Sequence, residues 1–326
     1  MSGSCLAVMY HYVRDTAATA FPAIRALPPA MFERQLDWLQ ASYELVTLEA
    51  FEAALEGGRA LPSNAALLTF DDGFADHYDV VLPALAARGL SGVFFLAHDA
   101  SGPSPRVLGV HKTHFLLARL GSDAFGDAVL GECRAAGHAP RSGGAGVFGL
   151  DRWEHADERA IKDLLNYELP IAEAERVLDV LFARHIGPQE DFARALYLQA
   201  PMIAEMRRAG MAFGYHTRSH TMLSRLTAGE QDQELRDGVA WIRSLTGQSR
   251  VSFCYPWGGP GTYTNESLDI LARTGYSVAF NTVRRRIAGG DHRYELPRVD
   301  TRDLPPYTAG EPGAEPAAPA LAADEA

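Results

Sequence analysis

Cysteine is scarce in this chain: Cys5, Cys133 and Cys254 are the only three in 326 residues. They are far apart and odd in number, which excludes a disulfide framework and a cysteine-rich zinc site and fits buried thiols in a reducing compartment. Long apolar runs are missing as well. No uninterrupted stretch approaches the ~18 residues needed to cross a bilayer, so no integral membrane segment is expected. The opening Met-Ser-Gly-Ser-Cys-Leu-Ala-Val-Met-Tyr-His lacks the basic start and full apolar stretch of a secretory leader, and a cytoplasmic location is the default expectation. Positive charge is not in excess either. Lys and Arg total 30 against 41 Asp and Glu, a formal net charge of −11. That balance argues against nucleic acid or an anionic membrane as partner and suits neutral or cationic substrates better. No internal repeat is visible.

What the chain does have is a rhythm of short apolar runs and amphipathic stretches. Strands are predicted at Cys5–Tyr10, Ala65–Phe70 and Gly92–Ala97, with helices at Pro29–Gln40 and Val80–Arg88, the latter stopping at Gly89. After Ala100 the rhythm breaks at the Gly/Pro/Ser segment Ser101–Pro105. Residues 101–200 then read as mostly helical, with a Gly-rich patch at Ser142–Gly146 and helical spacing over Ala172–Phe182. Alternation resumes with helices at Met202–Ala209, Ala228–Leu245 and Asn265–Thr274 and strands at Met211–Tyr215, Val251–Tyr255 and Tyr276–Phe280. The pattern predicts an α/β chain with a parallel sheet or barrel, interrupted by a helical insertion. From Thr308 the chain turns to Ala, Pro, Glu and Gly without periodicity, the composition of a disordered tail.

Three strand ends carry polar clusters. Thr69-Phe70-Asp71-Asp72-Gly73 puts two adjacent carboxylates at the end of a buried strand, where parallel α/β folds hold their ligands. On its own it reads equally well as an Asp-Gly turn. Phe213-Gly214-Tyr215-His216-Thr217-Arg218-Ser219-His220 puts two histidines four residues apart after another strand, a spacing at which one helical turn brings both rings to one side. Taken alone, a His-x-x-x-His in a loop is more often two solvated histidines. Together the clusters complete each other. One Asp and two His supply three metal ligands and leave a position open, the layout of a catalytic metal site, while the second Asp is free to act as a base on water.

These two runs, followed by Phe253-Cys254-Tyr255-Pro256-Trp257-Gly258, resemble in order the three motifs of the polysaccharide deacetylase family, also called the NodB-homology domain or carbohydrate esterase family 4. The resemblance covers residues 5–100 and 200–300. It implies a distorted (β/α) barrel of the NodB-homology type, here as residues 1–100 and 201–307 with a mostly helical insertion at 101–200, before a tail at 308–326. It implies metal-dependent removal of an N-acetyl group from an amino sugar in a glycan, a glycolipid precursor or a sugar nucleotide. By it Asp71 is the catalytic base, Asp72, His216 and His220 hold one divalent metal, with zinc the first choice and cobalt or nickel able to replace it, and the backbone N–H near Trp257 helps hold the oxyanion.

The sequence departs from the family pattern at two places. The third motif often has an arginine two residues before its proline, where this chain has Cys254. Arg298 in Leu296-Pro297-Arg298-Val299-Asp300 offers a substitute guanidinium or a structural ion pair. The late histidine that serves many members as general acid has no counterpart; only His292 follows Trp257, in a Gly/Asp/Arg loop. His11, just past the first strand, resembles instead the N-terminal histidine of a permuted branch that deacetylates poly-N-acetylglucosamine, and is expected as the general acid rather than a partly buried structural ring. Val110-His111-Lys112-Thr113-His114 is expected to be a surface or lid segment, and Trp153 and Trp241 core residues. The same site would also serve a deformylase or another amide hydrolase. A non-catalytic carbohydrate-binding barrel would have lost the base or a ligand, and all four positions are intact.

Overall fold

The computed structural model describes residues 4–17, 19–137 and 156–307. The Gly-rich patch at 142–146, Trp153 and the tail from 308 lie outside the described residues. Eight strands form one parallel sheet: β1 (Cys5–Tyr10), β2 (Glu44–Leu45), β3 (Ala65–Phe70), β4 (Val93–Leu96), β5 (Ala212–Tyr215), β6 (Ser252–Cys254), β7 (Ala279–Phe280) and β8 (Val299–Asp300), in the order β7-β6-β5-β4-β3-β1-β8 with β2 beside β3. The edges are drawn together. Leu296 bridges to Phe280 while Val299 pairs with Val8, so one segment touches both β7 and β1 and bends the sheet into a barrel. This is the distorted (β/α) barrel expected from the alternating pattern.

The period-2 direction of side chains divides the strands between two cores. Leu6, Val8 and Tyr10, with Ala66, Leu68, Phe70, Phe94 and Leu96, face the surrounding helices. Cys5, Ala7, Ala65, Leu67, Val93, Phe95, Cys254 and Phe280 turn inward and pack with Leu48 and Phe51. Both faces are buried, so these strands read as continuous apolar runs. Register places Tyr10, Phe70 and Phe94 side by side. Their rings stack at 5.0 and 4.7 Å between centroids, each pair contributing about 0.5–1.5 kcal/mol beyond area burial.

The helix at Asn265–Thr274 matches its expected bounds, and its C-cap glycine, Gly275, has φ 84°. Helices at Pro29–Ser42, Ala200–Arg208 and Ala228–Thr246 differ from expectation by two residues or fewer at each end. The expected helix at Val80–Arg88 is a π-helical turn, His77–Val81, running into Leu82–Ala87. The helix Leu48–Leu55 was not anticipated, although Thr47 caps it by accepting from the Ala50 N–H. The two-residue strands β2 and β8 are too short to show any periodicity.

Between β4 and the helix Ala200–Arg208 the described residues are mostly helical, joined by short loops: His98–Ser101, Gly109–Leu120, Ser122–Ala135, Ala156–Asp163, a π turn at Leu164–Glu168, Ile171–His185 and Gln189–Leu196. This insertion has a core of its own, in which Leu116, Phe125, Val129, Val177 and Leu181 are fully buried. A second cluster joins it to the barrel mouth through Tyr12, Phe74, Phe115, Phe182 and Tyr197. The segment leaving the insertion pairs along the loop after β3: Leu198 N–H donates to Gly73 O and Ala75 N–H to Leu196 O, each at 2.8 Å. The insertion therefore packs on the end of the barrel where the strands finish.

Candidate metal and catalytic site

Parallel strands all finish at one end, and that end collects the polar residues singled out in the sequence. His11 follows β1, Asp71 and Asp72 follow β3, and His216 follows β5. Backbone bonds continue the ladder past the strand ends: Asp71 N–H donates to Tyr10 O and His216 N–H to Leu96 O, both at 2.9 Å. Beyond them the chain turns sharply. Asp72, Thr217, His220 and Trp257 have φ of 73°, 60°, 61° and 66°, the left-handed region that non-glycine residues seldom occupy. All four belong to the strand-end motifs, where such conformations tend to mark functional sites.

Those turns correct one expectation. Residues 216–220 do not form a helical turn. Two left-handed residues fold the loop back instead, and the rings of His216 and His220 meet at 4.8 Å between centroids. The Nε2 atoms of His216 and His220 lie 3.5 and 3.6 Å from Asp72 Oδ1. Tetrahedral ligands bonded at ~2.0–2.1 Å are separated by about 3.4 Å, so these two distances match a metal's coordination shell, and all three donors lie within 4.8 Å of one another.

Three further observations test the fit to a metal. Asp72 Oδ1 is buried without a hydrogen-bond partner, which is costly unless a cation supplies one. His216 Nδ1 is 2.8 Å from the Cys254 carbonyl. A carbonyl only accepts, so Nδ1 carries the hydrogen and Nε2 keeps its lone pair, as a metal requires. Burial also keeps both rings neutral: it lowers the pKa of His216 and takes that of His220 down to about 3. Asp72 stays ionised. Burial is the largest single influence and opposes its charge, but His111, which hydrogen-bonds to it, leads the groups that hold it well below the usual carboxylate range. Asp72, His216 and His220 therefore fit a divalent ion.

Asp71 faces a different neighbour. Arg298, fully buried, grips it with Nη1 on Oδ1 at 2.7 Å and Nη2 on Oδ2 at 2.8 Å. Arg298 also donates to Asn281 O, Thr69 Oγ1 and Cys254 Sγ, so its fork is held on several sides. The small thiol at 254 stands where the family motif has arginine, and a guanidinium arriving from just before β8 reaches Asp71 beside it. Burial alone would raise the pKa of Asp71; Arg298, with His216 and His11, outweighs it and brings the value to about 2.

The His11 side chain is 41% exposed, and its Nε2 lies 3.8 Å from Asp71 Oδ2. That gap is too narrow for an amide to lie between the two groups, so a substrate would pass beside them. It has room to do so. A cavity of about 660 Å³, within the usual range for small-molecule sites, is lined by His11, Asp72, Tyr12, Asp300, His114 and Lys162. The last two come from the insertion. The Trp257 ring packs edge-on against His220 at 5.6 Å, and its carbonyl accepts from Thr282 Oγ1. His292 sits in its loop with Nδ1 accepting from Tyr294 N–H and does not line the cavity. Trp241 is partly buried and packs against the core around Tyr215.

The segment 110–114 is only in part the surface or lid segment expected, since His114 lines the cavity while His111, Lys112 and Thr113 are buried. His111 is fully buried rather than at the surface, with Nε2 3.2 Å from Asp72 Oδ2. Lys112 is buried in an ion pair with Asp179. Helical spacing could have placed His111 and Phe115 on one face; nothing in the sequence relates that face to Asp72, because only the fold of the insertion brings them together.

A model of the family described as polysaccharide deacetylase matches residues 172–279, which include His216, His220 and the third motif. Poly-beta-1,6-N-acetyl-D-glucosamine N-deacetylase from Escherichia coli strain K12 is 36% identical over 84 residues, 25% of this chain and 12% of that protein. The chain thus matches only a small part of the length of that relative. In fold it resembles Streptococcus pyogenes deacetylase PplD, solved in complex with acetate, with a TM-score of 0.56 and 17% identity over 92% of this chain and 93% of that one. IcaB from Ammonifex degensii gives 0.54 and 18% over 92% of each, and the BpsB deacetylase domain from Bordetella bronchiseptica 0.52 and 15% over 91% and 95%. The likeness read from the three motifs is borne out in sequence and in fold.

Proposed function

We propose that this chain, a relative of the polysaccharide deacetylases, hydrolyses the N-acetyl amide of an amino sugar with one divalent metal ion bound. The observation that carries this reading is the unpartnered Asp72 Oδ1 facing two neutral imidazoles beside an ionised, arginine-clamped Asp71. A divalent ion held there, with zinc the first choice for a mixed N/O donor set and cobalt or nickel able to replace it, would supply Lewis-acid polarisation of the acyl oxygen. The rest falls to the protein. Asp71, ionised at working pH, takes a proton from the attacking water as the new C–O bond forms. His11 gives a proton to the departing nitrogen as the C–N bond breaks, leaving acetate and a free amine. The Trp257 backbone N–H is the proposed donor to the oxyanion.

The test is amine release from N-acetylated amino sugars, sugar nucleotides, chitooligosaccharides and poly-β-1,6-N-acetylglucosamine, with zinc or cobalt added and then chelated. Acetate and amine in equal amounts, lost with the metal and restored by adding it back, is the expected result. Formate in place of acetate would make the chain a deformylase with the same machinery. No release from any substrate in the presence of bound metal would count against the reading. His11→Ala is expected to lower kcat by about 100-fold with metal content unchanged and to alter the alkaline limb of the pH–rate profile. A normal rate would move the acid role elsewhere. Among the described residues no helix is long and apolar enough to cross a membrane. Action in the cytoplasm on a glycan precursor is part of the proposal, tested by fractionating cells.

A further inference from the structure

We infer that His111, reaching in from the helical insertion, is a positioning residue that aims the Asp72 carboxylate at the metal, with Tyr197 setting the orientation of its ring. This deepens the metal reading of the site and rests on it. An ionised carboxylate can only accept hydrogen bonds, so the 3.2 Å contact requires His111 Nε2 to carry the hydrogen. The other ring nitrogen, Nδ1, lies 2.6 Å from the Tyr197 hydroxyl and can accept from it. The same hydroxyl accepts the Leu108 N–H at 3.0 Å, which leaves its own hydrogen for His111. The result is a directed chain from Leu108 through Tyr197 and His111 to Asp72 Oδ2. It occupies one carboxylate oxygen and leaves Oδ1 for the ion.

The surroundings fix this arrangement. The ring of His111 is enclosed by Phe74 at 4.7 Å, Tyr197 at 5.6 Å and Tyr12 at 5.8 Å between centroids. Leu108 precedes the helix Gly109–Leu120 and Tyr197 follows the helix Gln189–Leu196, so the chain of bonds joins both ends of the insertion to the barrel's metal ligand. Hydrogen bonds to the second oxygen of a ligating carboxylate orient it, and their loss typically costs 10–100-fold in metal affinity.

The experiment measures metal affinity directly, by competition with a chromogenic chelator for zinc and for cobalt, so it does not depend on finding the substrate. His111→Leu is expected to weaken binding about 10–100-fold. His111→Gln, whose amide nitrogen can sit where Nε2 was and donate to Asp72, is expected to recover most of the loss. Tyr197→Phe, which removes a single oxygen, is expected to weaken binding by a smaller factor without lowering the unfolding temperature of the metal-free protein by more than a few degrees. Unchanged affinity in His111→Leu and Tyr197→Phe overturns the inference and leaves the proposed function standing. A Gln variant as weak as the Leu variant also overturns it, because His111 would then be a ligand or a packing residue. Failure of the unaltered protein to bind either metal would instead overturn the metal reading itself, and this inference with it.

Discussion

Asp71→Asn is expected to keep its metal and lose about 10³-fold in kcat, within the 10²–10⁴ range of a general base. The amide has nearly the shape of the carboxylate, and it cannot take a proton from water. The proposed ligand set Asp72, His216 and His220 is untouched, so metal content serves as the control. The variant also tells the base from a ligand: if Asp71 bound the ion, Asn would lower metal occupancy together with turnover. One cost is built in, because Asn still faces the Arg298 fork at two former acceptor sites. A carbonyl oxygen can accept one of those bonds while the amide NH₂ opposes the other. Some loss of thermal stability should accompany the loss of rate, and a variant with near-normal kcat would remove Asp71 from the mechanism.

Replacing the other partner has the larger effect on folding. Arg298→Met leaves a fully buried carboxylate without its cation, the situation that typically costs about 3–5 kcal/mol. The pH dependence distinguishes this from simple loss of packing. In the unaltered protein the folded value of Asp71 is about 2, below its ordinary 3.8. A lowered value means the pair's contribution is complete above the ordinary value and is lost as pH falls from about 4 toward 2. Without Arg298, burial dominates and raises the folded value. The sign then reverses, with stability relatively favoured at low pH and falling as pH rises through the ordinary value. Denaturant unfolding of both proteins from pH 2.5 to 7 should therefore show the stability difference growing with pH. Activity should fall as well, since a protonated Asp71 is no base. The double variant Arg298→Met/Asp71→Asn should regain part of the stability and none of the turnover. If the difference were the same at every pH, the clamp would not govern the ionisation of Asp71.

Strand ends were the most legible feature of this chain. Asp71, Asp72, His216 and His11 each follow a short, mostly apolar run, and in a parallel barrel that alone brings them to one rim. Arg298 could be guessed from the gap at Cys254, and the two do meet: its Nη2 is 3.0 Å from Cys254 Sγ. The sense of the loop at 216–220 was not legible, because left-handed Thr217 and His220 carry no glycine to announce it. Strands of two residues, such as β2 and β8, are set by the neighbours they pair with and have no pattern of their own. His111 was missed for a further reason. Its partner Asp72 lies on the far side of β4 in sequence, and their meeting depends on how the helices of the insertion pack onto the loop after β3.

The placement of that insertion also has consequences for folding. Val93 pairs directly with Ala212 and Leu96 with Tyr215, so two adjacent strands of the barrel are separated in sequence by every helix of the insertion. In an unstructured chain, closing so long a loop slows the search for that pairing, even though each doubling of length adds only about 0.6 kcal/mol to the equilibrium cost. The insertion's private core, around Leu116, Phe125 and Leu181, shortens that search if it forms first. Its ends are also pinned near each other, for His98 and Asp99 donate their N–H groups to the carbonyls of Thr217 and Arg218 just past β5. The barrel then treats the insertion as a compact tether and not as a long loose one. Substitutions that weaken only this private core should slow refolding more than they speed unfolding, and stopped-flow traces of Leu181→Ala would show it in the refolding limb.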